Sequence, residues 1–162
     1  MGQESDVKEV RPPTIGDVRR ICRALDETAA RYVLIGGFAV ILHGGERTTK
    51  DIDLLVDPAP DNVARLKQAL SVLEDNAAAD IEPDDLQRYA VVRVADEVMV
   101  DLLAAACGVT WADAMPSAQR VDLEGTTVVV ADRLTLIRTK QTVRPSDAAD
   151  RAWLEAVEDE PR

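Results

Sequence analysis

Residues 32–54 read Tyr32-Val33-Leu34-Ile35-Gly36-Gly37-Phe38-Ala39-Val40-Ile41-Leu42-His43-Gly44-Gly45-Glu46-Arg47-Thr48-Thr49-Lys50-Asp51-Ile52-Asp53-Leu54. Tyr32 to Ile35 is a short β-rich run closed by Gly36-Gly37, and the spacing predicts a short helix over Phe38 to His43, ended by Gly44-Gly45. After the polar Glu46 to Lys50, residues Asp51 to Asp57 form a second expected strand with acidic residues at its start, halted by Pro58. Fourteen positions separate Gly37 from Asp51, enough for one helix and a return. Glycine turn and acidic strand can therefore meet at the same end of adjacent strands.

Working outward, Ile15, Val18, Ile21, Cys22, Leu25 and Ala29 recur at helical steps, so Thr14 to Arg31 reads as an amphipathic helix. Pro60 and Asp61 open another through about Leu73, followed by an acidic, alanine-rich loop over Glu74 to Asp85. Tyr89 to Val94 and Val98 to Leu103 read as a hairpin. Trp111 to Ala118 reads as a helix, Arg120 to Leu123 pairs with Thr126 to Val130, and helices over Asp132 to Thr142 and Ser146 to Val157 close the chain. The expectation is an α/β (α+β) fold: a mixed sheet of about four to six strands flanked by helices. Residues 1–13 read as a flexible tail and 14–157 as one domain.

Composition narrows the function classes. The chain has 162 residues with 46% hydrophobic and 30% charged, ordinary for one globular unit and unlike collagen or a disordered chain. Its net charge of −11 excludes the broad basic surface of non-specific nucleic-acid binders and leaves room for a local basic site. Cys22 and Cys107 lack metal-site spacing and read as reduced, buried thiols. The longest apolar stretch, Tyr32 to Leu42, is too short to span a bilayer, so a cytoplasmic protein without membrane contact is expected.

Asp51 and Asp53, two apart on a strand, face the same side. Two carboxylates side by side repel unless solvated or bridged by a divalent cation, and hard Mg²⁺ prefers such oxygens. Asp101 stands among Val98, Met99, Val100, Leu102 and Leu103, where a charge is costly unless paired or metal-bound. Asp51, Asp53 and Asp101 on neighbouring strands would hold two metal ions suited to in-line phosphoryl displacement. A glycine turn at Gly36 and Gly37 lets backbone amides approach an anion. Plainer readings stand beside these: a solvated strand entry for Asp51 and Asp53, and an ion pair with Arg93 for Asp101. Asp57 reads as a cap for the next turn.

Lys140 and Arg144 could meet the β- and γ-phosphates of a nucleotide or be merely solvated. Arg47 and Lys50 could hold phosphate or balance Asp51 and Asp53. Asp147 and Asp150 read as favourable charges in a helix's first turn. His43 reads as packed or capping, and Trp111 and Trp153 as core residues.

The run Ile35-Gly36-Gly37-Phe38-Ala39, with Arg47-Thr48-Thr49-Lys50-Asp51-Ile52-Asp53-Leu54 after it, resembles the signature of the polymerase-beta-type nucleotidyltransferase superfamily. Its form is similar to the minimal bacterial branch that includes abortive-infection, type IV toxin nucleotidyltransferases. Asp132 to Lys140 and Arg144-Pro145-Ser146-Asp147-Ala148-Ala149-Asp150 look like that branch's closing helices. The resemblance implies Mg²⁺ and a nucleoside triphosphate at the sheet edge, with Gly36 and Gly37 contacting the triphosphate. It further implies that Asp51 and Asp53 bind the metals and that Asp101 activates the acceptor hydroxyl. The acceptor implied is RNA, including tRNA, or a small molecule, and the partner an antitoxin. The family's turn is often Gly-Ser, so a hydroxyl is missing here at Gly37. A non-catalytic nucleotide-binding or partner-binding module on the same fold is the alternative.

Overall fold

The structure, a computed structural model, describes residues 10–157. Residues 1–9 of the expected tail lie outside the described residues. Arg11, in the remainder of that stretch, is anchored: its guanidinium donates to both Asp17 oxygens at 2.8 and 2.7 Å, and its amide to the Glu97 carbonyl at 3.1 Å.

Helix α1 spans Ile15–Glu27, ending four residues before its periodicity suggested. Thr14 starts it through a reciprocal capping box with Asp17, and Val18, Ile21, Cys22 and Leu25 form its buried stripe. Strand β1 is Tyr32–Ile35, helix α2 Gly36–Leu42, strand β2 Asp51–Val56 and helix α3 Pro60–Leu70. The glycines thus belong to the first turn of α2 rather than to a turn before it. Buried Asn62 ties β1 to α3: its amide group donates to the Arg31 and Asp57 carbonyls at 3.1 and 2.8 Å and accepts from the Arg31 amide at 2.7 Å.

The acidic loop expected over 74–85 contains a 3₁₀ turn, Ala77–Asp80, and leads into helix α4, Asp85–Arg88. Its organiser is the buried Asp96 carboxylate, which accepts from the amides of Asp75 and Ala77 at 2.9 and 2.8 Å. Strands β3, Val91–Ala95, and β4, Met99–Leu103, make the expected hairpin. A miniature hairpin follows, β5 Ala105–Ala106 and β6 Val109–Thr110, then α5, Trp111–Ala114. Strands β7, Gln119–Leu123, and β8, Thr126–Val130, precede α6, Arg133–Thr139, and α7, Pro145–Ala156.

Among the described residues, six strands form one mixed sheet in the order β3-β4-β2-β1-β8-β7. Strand β1 is antiparallel to β2 and parallel to β8, while β2 is parallel to β4. Central β1 and β2 carry Val33, Leu34, Ile52, Leu54, Leu55 and Val56 at 0% exposure, so the core lies along the middle of the sheet. Helices α1 and α3 pack on each other, and α2 bridges β2 and α6. His43 Nε2 meets the Ala131 carbonyl at 2.8 Å, fastening the end of α2 to the start of α6. Trp111 and Trp153 pack against the core from partly buried positions. Cys22 is buried, and burial pushes its thiol up to about 12. Cys107 corrects the expectation of two buried thiols: it is exposed, in the β5–β6 turn at φ 48°. Among the described residues no helix is long and apolar enough to cross a membrane.

Candidate active site

The strand order dictates where the carboxylates meet. In the parallel β2–β4 pair, Asp53 stands directly opposite Asp101, and Asp51 lies two residues from Asp53 on the same face. One oxygen from each of Asp51, Asp53 and Asp101 lies within 4.8 Å of the others. Their surroundings differ. Asp101 is 6% exposed and takes a two-pronged contact from Arg93, Nε to Oδ1 at 2.8 Å and Nη2 to Oδ2 at 2.9 Å. Arg93 also reaches Asp51 at 3.6 Å. The ion pair that the sequence left open for Asp101 therefore exists, alongside the convergence with Asp51 and Asp53.

Asp53 receives no side-chain hydrogen bond and no ion pair among the described residues. Burial first, then repulsion from Asp101 and Asp51, pushes its carboxyl up to about 7, against the opposing pull of Lys140 and Arg144. Gly36 explains how Asp53 fits. At φ +74°, a Cβ there would lie 2.2 Å from Asp53 Oδ2, so both backbone and space demand glycine. At Gly37 a Cβ would lie 2.7 Å from the Thr49 side chain. The glycine pair thus lets the start of α2 sit directly against the acidic strand.

Facing the carboxylates is a cationic wall assembled by the α6–α7 corner. Lys140, the C-cap of α6, is 5% exposed and lies 3.0 Å from Asp150 Oδ2 and 3.8 Å from Asp147 Oδ1. Arg47 forms a close ion pair with Asp150, and Arg144 Nη2 meets Asp147 at 2.8 Å. Burial raises the Asp147 carboxyl, but Thr142, Arg144 and Lys140 outweigh it and hold it below the usual range. Arg151 closes the corner by donating to the carbonyls of Lys140 and of Thr142, the latter at 3.0 Å.

These contacts correct two expectations. Asp147 and Asp150 are not merely charges near a helix start; they are buried anchors for three cations. Arg47 balances Asp150 rather than Asp51 or Asp53. Their three-residue spacing on α7 puts both on one helix face but names no partner for that face. Lys50 is exposed, without an ion pair among the described residues. Asp57 does cap the next turn, accepting from the Ala59 amide at 3.0 Å, and also binds Arg31 at 2.7 Å.

Gly36, Gly37, Arg47, Lys50, Asp51, Asp53, Asp101, Lys140 and Arg144 all line one cleft of about 500 Å³. Sequence reasoning missed that Cys107, Thr139 and Thr142 also reach it. A cleft of that size suits a small molecule, with acids on one wall and fixed cations on the other. The donor set is all carboxylate oxygen, the chemistry of a hard divalent cation. Three acids this close, one left without a counter-charge, fit a cation better than they fit an empty site.

The geometry has counterparts. The family model described as nucleotidyl transferase AbiEii toxin, type IV TA system, matches residues 19–140. Among solved structures, one from Thermotoga maritima described as a candidate nucleotidyltransferase aligns with a TM-score of 0.57 at 15% identity. That alignment covers 91% of this chain and 96% of the other, a likeness of fold. No curated protein matches.

Proposed function

This chain belongs to the AbiEii nucleotidyl transferase toxin family of type IV toxin-antitoxin systems, and on that premise we propose that it moves a nucleoside monophosphate from a nucleoside triphosphate to an acceptor hydroxyl in a Mg²⁺-dependent reaction. The single observation that carries the Mg²⁺ dependence is the clustering of Asp51, Asp53 and Asp101 within 4.8 Å. In this reading Asp51, Asp53 and Asp101 hold the metal, which supplies Lewis-acid stabilisation of the phosphoryl oxygens when bound.

The remaining chemistry belongs to the chain's own groups. Gly36 and Gly37, without side chains, let the triphosphate approach the backbone at the start of α2. Lys140 and Arg144, with Arg47 and Lys50 beside them, meet the negative charge that builds on the departing phosphates. The acceptor oxygen forms a bond to the α-phosphorus as the bond from that phosphorus to the bridging oxygen breaks. Pyrophosphate leaves with the electron pair, and the acceptor proton passes to Asp101. The acceptor is RNA, including tRNA, or a small molecule, and the protein acts in the cytoplasm as the toxin of a pair with an antitoxin. Residues 14–157 form the unit that does this, a reading supported by the one buried cluster that runs through the sheet and its helices.

The test is direct: incubate the protein with each α-³²P-labelled triphosphate, Mg²⁺ and total cellular RNA. Labelled RNA, lost on adding a chelator, is the expected result. Triphosphate binding without label transfer to RNA or to small hydroxyl acceptors would instead favour a non-catalytic binding module.

A further inference from the structure

Arg93 occupies the group that the proposed reaction needs free. Its guanidinium covers both oxygens of Asp101, at 2.8 and 2.9 Å. So long as both prongs are in place, Asp101 cannot offer an oxygen to a cation or take a proton without sharing it. The two partners are unequal in freedom. The Asp101 side chain is 9% exposed on an inner strand, whereas the Arg93 side chain is 56% exposed on β3, at one edge of the sheet. The two-pronged contact is a strong one, so a ligand that displaces it must itself offer the guanidinium an anion, which the half-exposed Arg93 side chain can reach from its solvent side. The acid is fixed and the base is movable.

The strand order says which ligand Arg93 can meet. Running β1-β2-β4-β3, it puts Gly36 next to β1 at one side and Arg93 at the other, with Asp53 and Asp101 between. The axes of β1 and β3 lie three strand spacings, about 14 Å, apart, and the Arg93 guanidinium leans inward from β3 over Asp101, to within 3.6 Å of Asp51. An anion drawn to Arg93 is therefore on the side away from the glycines, where the second substrate enters if the triphosphate lies along Gly36 and Gly37. Val91, on the same strand face as Arg93 and 46% exposed, continues that side of the cleft outward.

From this juxtaposition we propose that Arg93 is a displaceable counter-ion that recognises an anionic group next to the acceptor hydroxyl. It holds Asp101 while the acceptor side is empty. When an acceptor phosphate draws the guanidinium away, the Asp101 oxygens become available. Arg93 is thus a positioning residue that couples acceptor charge to completion of the acidic cluster. The inference rests on the metal-binding reading above and adds the acceptor class, a hydroxyl beside a phosphate.

The experiment measures Mn²⁺ affinity by calorimetry without a triphosphate, on the wild-type protein, Arg93→Gln and Arg93→Lys, each checked for folding by circular dichroism. Each is titrated alone, with a ribodinucleotide, with the dinucleotide carrying an uncharged methylphosphonate linkage, and with ribose 5-phosphate. The charged dinucleotide or ribose 5-phosphate should tighten wild-type Mn²⁺ binding at least about fivefold, the lower end of ordinary site-to-site coupling. The first alone points to a polynucleotide end and the second to a phosphorylated small molecule. The methylphosphonate should not tighten it. Arg93→Gln should bind Mn²⁺ more tightly than wild type when no acceptor is present and show no coupling, and Arg93→Lys, which keeps the charge but lacks the fork, should lose most of the coupling. Equal Mn²⁺ affinity with and without either phosphate, or coupling that persists in Arg93→Gln, overturns the proposal. If the wild-type protein binds no Mn²⁺ under any condition, the metal-site reading itself fails and this inference falls with it.

Discussion

On the acidic wall of the cleft, Asp53 has no donor among the described residues and is pushed up to about 7 by burial and by its two acidic neighbours. On the basic wall, Arg47, Lys140 and Arg144 each meet a carboxylate of α7, from Asp147 or Asp150. One wall concentrates like charge and, with Arg93 held by Asp101 and Asp51, leaves Asp53 without an ion pair among the described residues, at a cost to the folded state. The other pairs Arg47, Lys140 and Arg144 and so fixes their geometry before any ligand arrives. The contrast teaches that nearness to a functional site does not decide whether a charged residue supports folding; its partners do. Substitutions on the acidic wall should trade activity for stability, and those on the basic wall should lose stability first.

The largest expected effect tests the acidic side. Asp53→Asn should lower nucleotidyl transfer about 10³-fold, since several kcal/mol of charge stabilisation goes with the site. The same variant should melt roughly 3–6 °C higher than wild type at pH 8 without metal, because it deletes an uncompensated buried charge. A variant that lost activity and stability together would break the contrast. On the basic side, Asp150→Ala leaves buried Lys140 only its longer contact with Asp147, at 3.8 Å, and frees Arg47. Breaking such a pair costs about 3–5 kcal/mol, so the melting temperature should fall by roughly 10 °C in calorimetry.

Gly36→Ala probes the seam between the walls. A methyl 2.2 Å from Asp53 Oδ2, on a backbone at φ +74°, must displace the carboxylate. Transfer should fall about 10²-fold, with roughly 1–3 kcal/mol of stability lost in denaturant titrations. Unchanged kinetics in a folded Gly36→Ala protein would mean that the placement of Asp53 is unimportant.

The smallest effect is a pH dependence. The folded-state carboxyl of Asp53 titrates near 7 against an ordinary 3.8, so the folded chain holds more protons than the unfolded one between those values. Its contribution to stability therefore falls as pH rises from about 4 to 7. Subtracting the stability profile of Asp53→Asn from that of wild type isolates this slope, and added Mg²⁺ should flatten it.

The two walls were not equally legible in the sequence. Tyr32–Ile35, Gly36-Gly37 and Asp51-Ile52-Asp53 announce a strand, a close approach and a same-face acidic pair through local rules, and β1 forms over the expected residues. Asp101 was visible because a charge inside an apolar strand asks for a partner. The salt-bridged corner was not visible, since Asp147 and Asp150 find Lys140, Arg144 and Arg47 only after α6 and α7 fold back on one another. Two-residue strands around Cys107 left no periodicity to read, and so the exposure of that thiol at the cleft was missed. Local steric and periodic rules operate over a few residues; ion pairing across 103 positions, as between Arg47 and Asp150, does not.

The most direct measurement is an anomalous diffraction map from crystals grown with Mn²⁺ and a non-hydrolysable nucleoside triphosphate. A peak bridging the carboxylates of Asp51 and Asp53, with Asp101 in reach and the triphosphate lying toward Gly36 and Lys140, is the predicted result. Density for the nucleotide with no metal peak among those carboxylates, or a peak elsewhere in the cleft, would contradict it.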